Sequence, residues 1–269
     1  MLEAALSPFP DHLLDHFLDH VQVITDPWFY AVAIPAVLLT GLSKSGFASG
    51  FGALATPMLA MTVPVPQAAA IMLPLLLAMD ATGLQQLWKV RDRALVAALV
   101  PWGIAGTLVG TALFGVFSTA AVSGVVGALT LLFLAQRLLF PPHAASNPPA
   151  PWVGRACATA SGFTSFVAHA GSPPVAAYLL PLKLAPAVFS GTMAVYFGAL
   201  NLFKVLPYAM LGLIDGRNLA TALLLLPLTP VGVWAGVRLT HRISPLWFYR
   251  LAYGGMLLTG LKLLWDGLK

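Results

Sequence analysis

Apolar runs of about twenty residues or more dominate this chain, and its polar residues fall mainly into the short gaps between them. Runs near 28–61, 66–88, 94–114 and 119–140 form a first set, and runs near 152–181, 184–206, 218–240 and 245–266 form a second. A helix needs about 20 residues to cross the ~30 Å hydrocarbon core of a bilayer, and each run supplies at least that many. Between the sets Pro141, Pro142, Pro148, Pro149 and Pro151 crowd one short stretch, and proline cannot continue a helix. The pattern divides the chain into an N-terminal segment, 1–26, a first membrane unit, 27–140, a linker, 141–151, and a second membrane unit, 152–269.

The two units repeat one another. Pro101, Gly106 and Gly110 recur as Pro227, Gly232 and Gly236 at a constant spacing of 126, and Ser118 and Ser244 extend the register. Internal repeats built from apolar, Gly/Pro-interrupted segments are the pattern of secondary transporters, whose substrate site lies between the halves.

The first run of each unit is too long for one crossing. Residues 28–61 as a single straight helix would reach ~50 Å. Its middle, Gly46-Phe47-Ala48-Ser49-Gly50-Phe51-Gly52, is glycine-rich, and the corresponding part of the second unit reads Ala168-His169-Ala170-Gly171-Ser172-Pro173-Pro174. Both predict broken, re-entrant helical hairpins whose tips meet inside the protein, where irregular backbone is tolerated only if it is buried or lines a cavity. With each hairpin returning to its own side, three crossings remain per unit. An odd number turns the second unit upside down. The expected fold is therefore all-α, with two inverted repeats, each a broken hairpin followed by three transmembrane helices. Lys89, Arg91, Arg93, Arg137, Arg155, Lys183, Arg238 and Arg242 then share the cytoplasmic side, while Arg217, Lys262 and Lys269 run against the scheme.

Composition narrows the class further. The hydrophobic share is 59% and the charged share 9%, against roughly 25% charged in soluble domains. The net charge of +5 is spread over short loops, which argues against a nucleic-acid partner. Cys157 is the single cysteine, so no internal disulfide forms. The acidic N-terminus lacks the basic start of a signal peptide. There, His12, His16 and His20 recur every four residues beside Leu13, Leu14, Phe17 and Leu18. An interfacial amphipathic helix accounts for this better than a metal site, and no metal or cofactor is assigned.

Candidate chemistry gathers at the hairpin tips. Ser172-Pro173 reads as an N-cap followed by the first helical residue, and Ser49-Gly50 is a looser version in the first unit. Helix N-termini aimed inward, with the N–H groups of Val175 and Ala176, would hold an anion. The alternative is that Gly and Ser merely allow close helix packing. Lys44, beside Ser45, either neutralises a bound anion or snorkels to an interface. His169 is placed to hydrogen-bond an oxyanion, against a structural bond to a neighbouring carbonyl. Asp80 is the one acid within the apolar stretch from Leu73 to Gly83 and reads as a proton-coupling residue, against a structural ion pair with a lysine. Asn201, Lys204, Gln85 and Gln86 are candidates to line the same cavity. The expected substrate site is Lys44, Ser45, Ser49, Gly50, Gly52, His169, Gly171, Ser172 and Asn201.

The elements Ser45-Gly46-Phe47-Ala48-Ser49-Gly50-Phe51-Gly52-Ala53-Leu54-Ala55-Thr56-Pro57 and Ser161-Gly162-Phe163-Thr164-Ser165-Phe166-Val167-Ala168-His169-Ala170-Gly171-Ser172-Pro173-Pro174 resemble the two motifs of the TauE/SafE family of membrane transporters. The resemblance runs from about 28 to 266. It departs in lacking a run of consecutive glycines in the first motif and in carrying Gly-Ser-Pro-Pro in the second. It implies export of sulfite or organosulfonates across the bacterial inner membrane. The lipid bilayer, a small anion and a coupling proton are the expected partners, and a homodimer is compatible with the sequence. A carrier or channel for a different small anion, a scaffold for partner proteins and an intramembrane enzyme are the rival readings. Ser165 and His169 form the nearest pairing for one, with no carboxylate close in sequence and no His-Glu-x-x-His signature.

Overall fold

The computed structural model describes residues 23–44, 55–114, 116, 118–139 and 149–268. The described residues are mostly helical and contain no strand. The helices are α1 (Pro27–Lys44), α2 (Ala55–Leu59), α3 (Val65–Leu87), α4 (Arg93–Ala112), α5 (Thr119–Leu139), α6 (Pro151–Ala168), α7 (Ser172–Leu179), α8 (Pro186–Met210), α9 (Gly216–Leu225), α10 (Leu228–Arg242) and α11 (Pro245–Leu268). The amphipathic repeat before residue 23, the tip of the first hairpin at 45–54 and residues 141–148 of the linker lie outside the described residues.

Proline and aspartate set many of the boundaries. Pro27, Pro66, Pro151, Pro173, Pro186 and Pro245 all stand in the first turn of a helix, where no intrahelical N–H is needed. Pro151 thus opens α6 and does not belong to the linker. The carboxylates of Asp92 and Asp215 cap α4 and α9 by accepting from Leu95 N at 3.0 Å and Asn218 N at 2.7 Å.

Among the described residues three helical segments are long and apolar enough to cross a membrane unaided: Pro66–Val90, Arg93–Ala112 and Pro186–Met210. The run expected as one helix at 218–240 is broken instead, with α9 and α10 meeting at 48°. Two prolines cause this. Pro227 and Pro230 remove the N–H partners of the Leu223 and Leu226 carbonyls, which accept from Leu226 N at 3.3 Å and Thr229 Oγ1 at 2.8 Å instead. α4, whose Pro101 shares its sequence register with Pro227, carries that proline alone and runs through it unbroken.

Helices from the two halves of the chain interleave. α1 packs on α10, and α6 packs on α4; α3 packs on α8, and α5 on α11. One core joins Phe29, Val37, Ile71, Met72 and Met79 to Val233 and Val237 from the second half. The other joins Val175, Leu179, Phe189 and Tyr196 to Leu99 from the first. Glycines make the closest crossings. A Cβ on Gly162 would lie 2.8 Å from the Gly103 carbonyl carbon, and one on Gly41 would lie 2.9 Å from Gly232 Cα. Small residues let membrane helices approach this closely, so that dispersion and carbonyl contacts replace the absent hydrophobic drive. The Thr107 hydroxyl bridges the first crossing, 3.0 Å from Gly103 O and 3.4 Å from Gly162 O.

The outer surface is apolar. Leu202, Leu206, Met210, Leu223 and Leu224 are exposed, as are all seven tryptophans, each at 43% or more. Four carry an arginine guanidinium near the ring: Arg91 on Trp88 at 3.6 Å, Arg238 on Trp234 at 4.0 Å, Arg250 on Trp247 at 5.3 Å and Arg155 on Trp102 at 5.8 Å. Tryptophan with arginine suits a boundary between hydrocarbon and water.

Candidate functional site

The described part of α1 runs to Lys44, and Thr40, Ser43 and Lys44 lie on its inner face within one turn. α6 stops at Ala168, and His169 takes a left-handed conformation (φ 51°) that ends the helix. His169 N and Ala170 N return to the Ser165 and Thr164 carbonyls at 3.2 Å each. α7 then begins at Ser172, one residue earlier than the Ser-Pro signal predicts. Gly171 is its cap, and Ser172 makes no capping bond through its side chain. A Cβ on Gly171 would fall 2.7 Å from Ser161 O, so only glycine fits against α6 there. Ser161 Oγ donates to Gly171 O at 2.7 Å and ties the break together.

Between these helix ends lies a cavity of about 40 Å³, room for about three water molecules. α1 contributes Thr40, Ser43 and Lys44; α3 contributes Leu76 and Asp80, one turn apart. Ser165, His169 and Ser172 come from the second break, and α8 contributes Met193, Ala194, Phe197 and Asn201 along one stripe. Lys44 does not snorkel. Its side chain is 13% exposed and its ammonium bonds Asp80 Oδ1. The ammonium also stands 5.7 Å from the Phe197 ring centre. Asn201 Nδ2 donates to the other carboxylate oxygen, Asp80 Oδ2, at 2.6 Å. Asp80 therefore makes the lysine ion pair that sequence reading weighed against a proton-coupling role.

A second cluster adjoins the first, one turn along α8. The fully buried Lys204 Nζ meets Ser165 O and Ser165 Oγ at 3.1 Å and His169 Nδ1 at 3.0 Å. His169 Nε2 lies 3.0 Å from Ala69 O. A carbonyl can only accept, so Nε2 carries the ring proton and Nδ1 accepts from Lys204. Both ring nitrogens are thus occupied by protein groups, and the carbonyl bond weighed as the alternative for His169 is present.

Lys44, Asp80, His169, Ser172 and Asn201 therefore line one cavity. Gly171 stands behind it, holding the break. Ser45, Ser49, Gly50 and Gly52 fall outside the described residues. Gln85 and Gln86 are exposed beyond the site. They follow Asp80 by more than a turn, on the exposed face of α3, whose Leu87 stays in the core. Thr40, Ser43, Met193 and Phe197 also line the cavity and are not among the expected site residues. The polar spacing Thr40, Ser43, Lys44 on an otherwise apolar helix was the available signal; nothing marked Phe197 or Met193. Among the described residues no group of His, Cys, Asp and Glu could hold a metal ion.

Apolar helices interleaved around an enclosed charged site make this a multi-pass membrane protein of the transporter class. The chain belongs to the sulfite exporter TauE/SafE family, whose family model matches residues 33–263. That is a family of transporters and not of enzymes, and membership implies a membrane exporter of sulfite or sulfonates. No curated protein and no solved structure matches the chain.

Proposed function

We propose that the protein is an ion-coupled secondary transporter that exports sulfite or an organosulfonate across the inner membrane of a bacterium. The anion occupies the cavity between the two helix breaks, and residues 27–140 and 152–269, as inverted repeats, rock about it to open each side in turn. The single observation that carries this reading is Lys44 at the end of α1 facing Ser172 at the start of α7 across one small cavity. An ammonium and a helix N-terminus both favour an oxyanion. Room for about three waters suits the three oxygens of a sulfite or sulfonate group. The reciprocal packing, α1 on α10 and α6 on α4, supports the paired halves and fits sites found between repeats.

The test is transport by purified protein in proteoliposomes, recorded as uptake of isotopically labelled sulfite, methanesulfonate, sulfate and chloride in turn at two pH values. Saturable uptake of sulfite or methanesulfonate is expected, with chloride excluded. Uptake that does not saturate, or uptake of chloride alone, overturns the reading.

A further inference from the structure

We propose that Lys44 is shared between Asp80 and the transported anion, so that each anion binds together with one proton, taken up by Asp80 and accepted by Asn201. The inference rests on the anion occupying the cavity described above.

The starting observation is an unfilled acceptor. Asn201 is 1% exposed, and its Oδ1 has no hydrogen-bond partner among the described residues. Its amide cannot be turned round, because the opposite orientation would aim Oδ1 at the Asp80 carboxylate. A buried acceptor left empty costs stability unless it serves another state. The neighbouring groups define that state. Lys44 holds Asp80 Oδ1, while Asn201 Nδ2 holds Asp80 Oδ2. A proton on Oδ1 displaces the ammonium, and the new O–H can donate to Asn201 Oδ1. Acid and amide then form a closed pair with two hydrogen bonds.

Charge balance leads to the same step. The cavity holds one lysine ammonium paired with one carboxylate. An added anion beside an ionised Asp80 would leave a buried negative charge without a counter-ion, which is expensive. Once Asp80 is protonated, the Lys44 ammonium pairs with the anion and the number of buried ion pairs is unchanged. No bond other than those to the proton is made or broken.

The other titratable groups facing Asp80 do not remove the need for the proton. α8 brings Lys204, whose three N–H groups donate to the Ser165 carbonyl, the Ser165 hydroxyl and His169 Nδ1, so none is left to pair with an anion in the cavity, which Lys204 does not line. α6 brings His169, bonded at both nitrogens. No charged residue of α9 or α10, which also pack on α3, lines the cavity. Anion and proton bind to the same state, so they cross in the same direction. A dianion accompanied by one proton still carries net negative charge, and an inside-negative potential drives it outward.

The experiment measures proton uptake by the whole protein in weakly buffered detergent solution when methanesulfonate is added, with calorimetry giving affinity from pH 5 to pH 8. Methanesulfonate stays ionised throughout, so any proton taken up belongs to the protein. Wild type should take up close to one proton per anion in the upper part of this range. Its affinity there should fall toward tenfold for each unit rise in pH. Asp80→Asn should bind the anion at least as tightly, independently of pH and without proton uptake. Asp80→Glu, which keeps a carboxylate, should restore the uptake. Asn201→Leu, which takes away the acceptor of the acid, should change the pH at which the uptake occurs. If Asp80→Asn does not fold, the wild-type stoichiometry and the Asn201→Leu shift still decide. Binding by wild type with no proton taken up overturns the inference and leaves the anion site standing. Uptake that survives in Asp80→Asn and vanishes in Lys204→Met or His169→Asn assigns the proton elsewhere and also overturns it. No binding of methanesulfonate, sulfite or sulfate at any pH removes both.

Discussion

Lys44→Ala is expected to weaken sulfite and methanesulfonate binding by roughly 100-fold or more, since truncating one side of a buried charged hydrogen bond costs about 2–5 kcal/mol. The same change strands Asp80, which is buried beside Leu76 and Met79, and an uncompensated buried charge costs about 3–5 kcal/mol of stability. The two effects separate in a double variant. Lys44→Ala with Asp80→Asn removes both charges, so the thermal midpoint in detergent should return toward that of wild type. Anion binding should not return with it. Calorimetry and a thermal melt on the same samples check both halves. Binding of wild-type strength in the stable double variant would sink the assignment of Lys44 to the anion.

Gly162→Leu should prevent the two halves from assembling. A side chain there drives straight into the Gly103 carbonyl of α4, and backbone cannot rotate away as a side chain can. Inserting bulk into a packed core costs about 1–3 kcal/mol where the neighbours can shift; here the whole α4–α6 contact must separate, so the loss is larger. The expected outcome is protein that inserts but elutes from size-exclusion as aggregate, with no cooperative melt. Gly212→Ala is the control, because Gly212 has no neighbour within 4 Å despite its positive φ of 68°. It should cost only the strain of an alanine in that backbone region. A sharp wild-type melt for Gly162→Leu would mean that the crossing is looser than its contacts imply.

Much of the fold is legible in the sequence because the bilayer leaves few choices. Apolar runs of the right length can be little other than helices, and the order of elements follows from them. The second helix break was also legible, since Gly171, Ser172 and Pro173 cannot continue α6. Four matters were hidden. The break at Pro227 depends on Pro230 three residues later, and one proline alone, as at Pro101, leaves a helix intact. His169 and Lys204 stand 35 residues apart on different helices, so their contact follows from tertiary packing. Phe197 and Met193 look like any other apolar residue on α8. The acid Asp80 was visible, but its partner was one of several lysines and only packing selects Lys44.

The distribution of tryptophan has an optical consequence. All seven indoles sit on the outer surface, and none lines the cavity. Intrinsic fluorescence of this protein therefore reports the lipid shell. Brominated acyl chains should quench it strongly, while saturating anion should leave it nearly unchanged. A Phe197→Trp substitution would put one emitter beside Lys44 and turn a dark site into a signal.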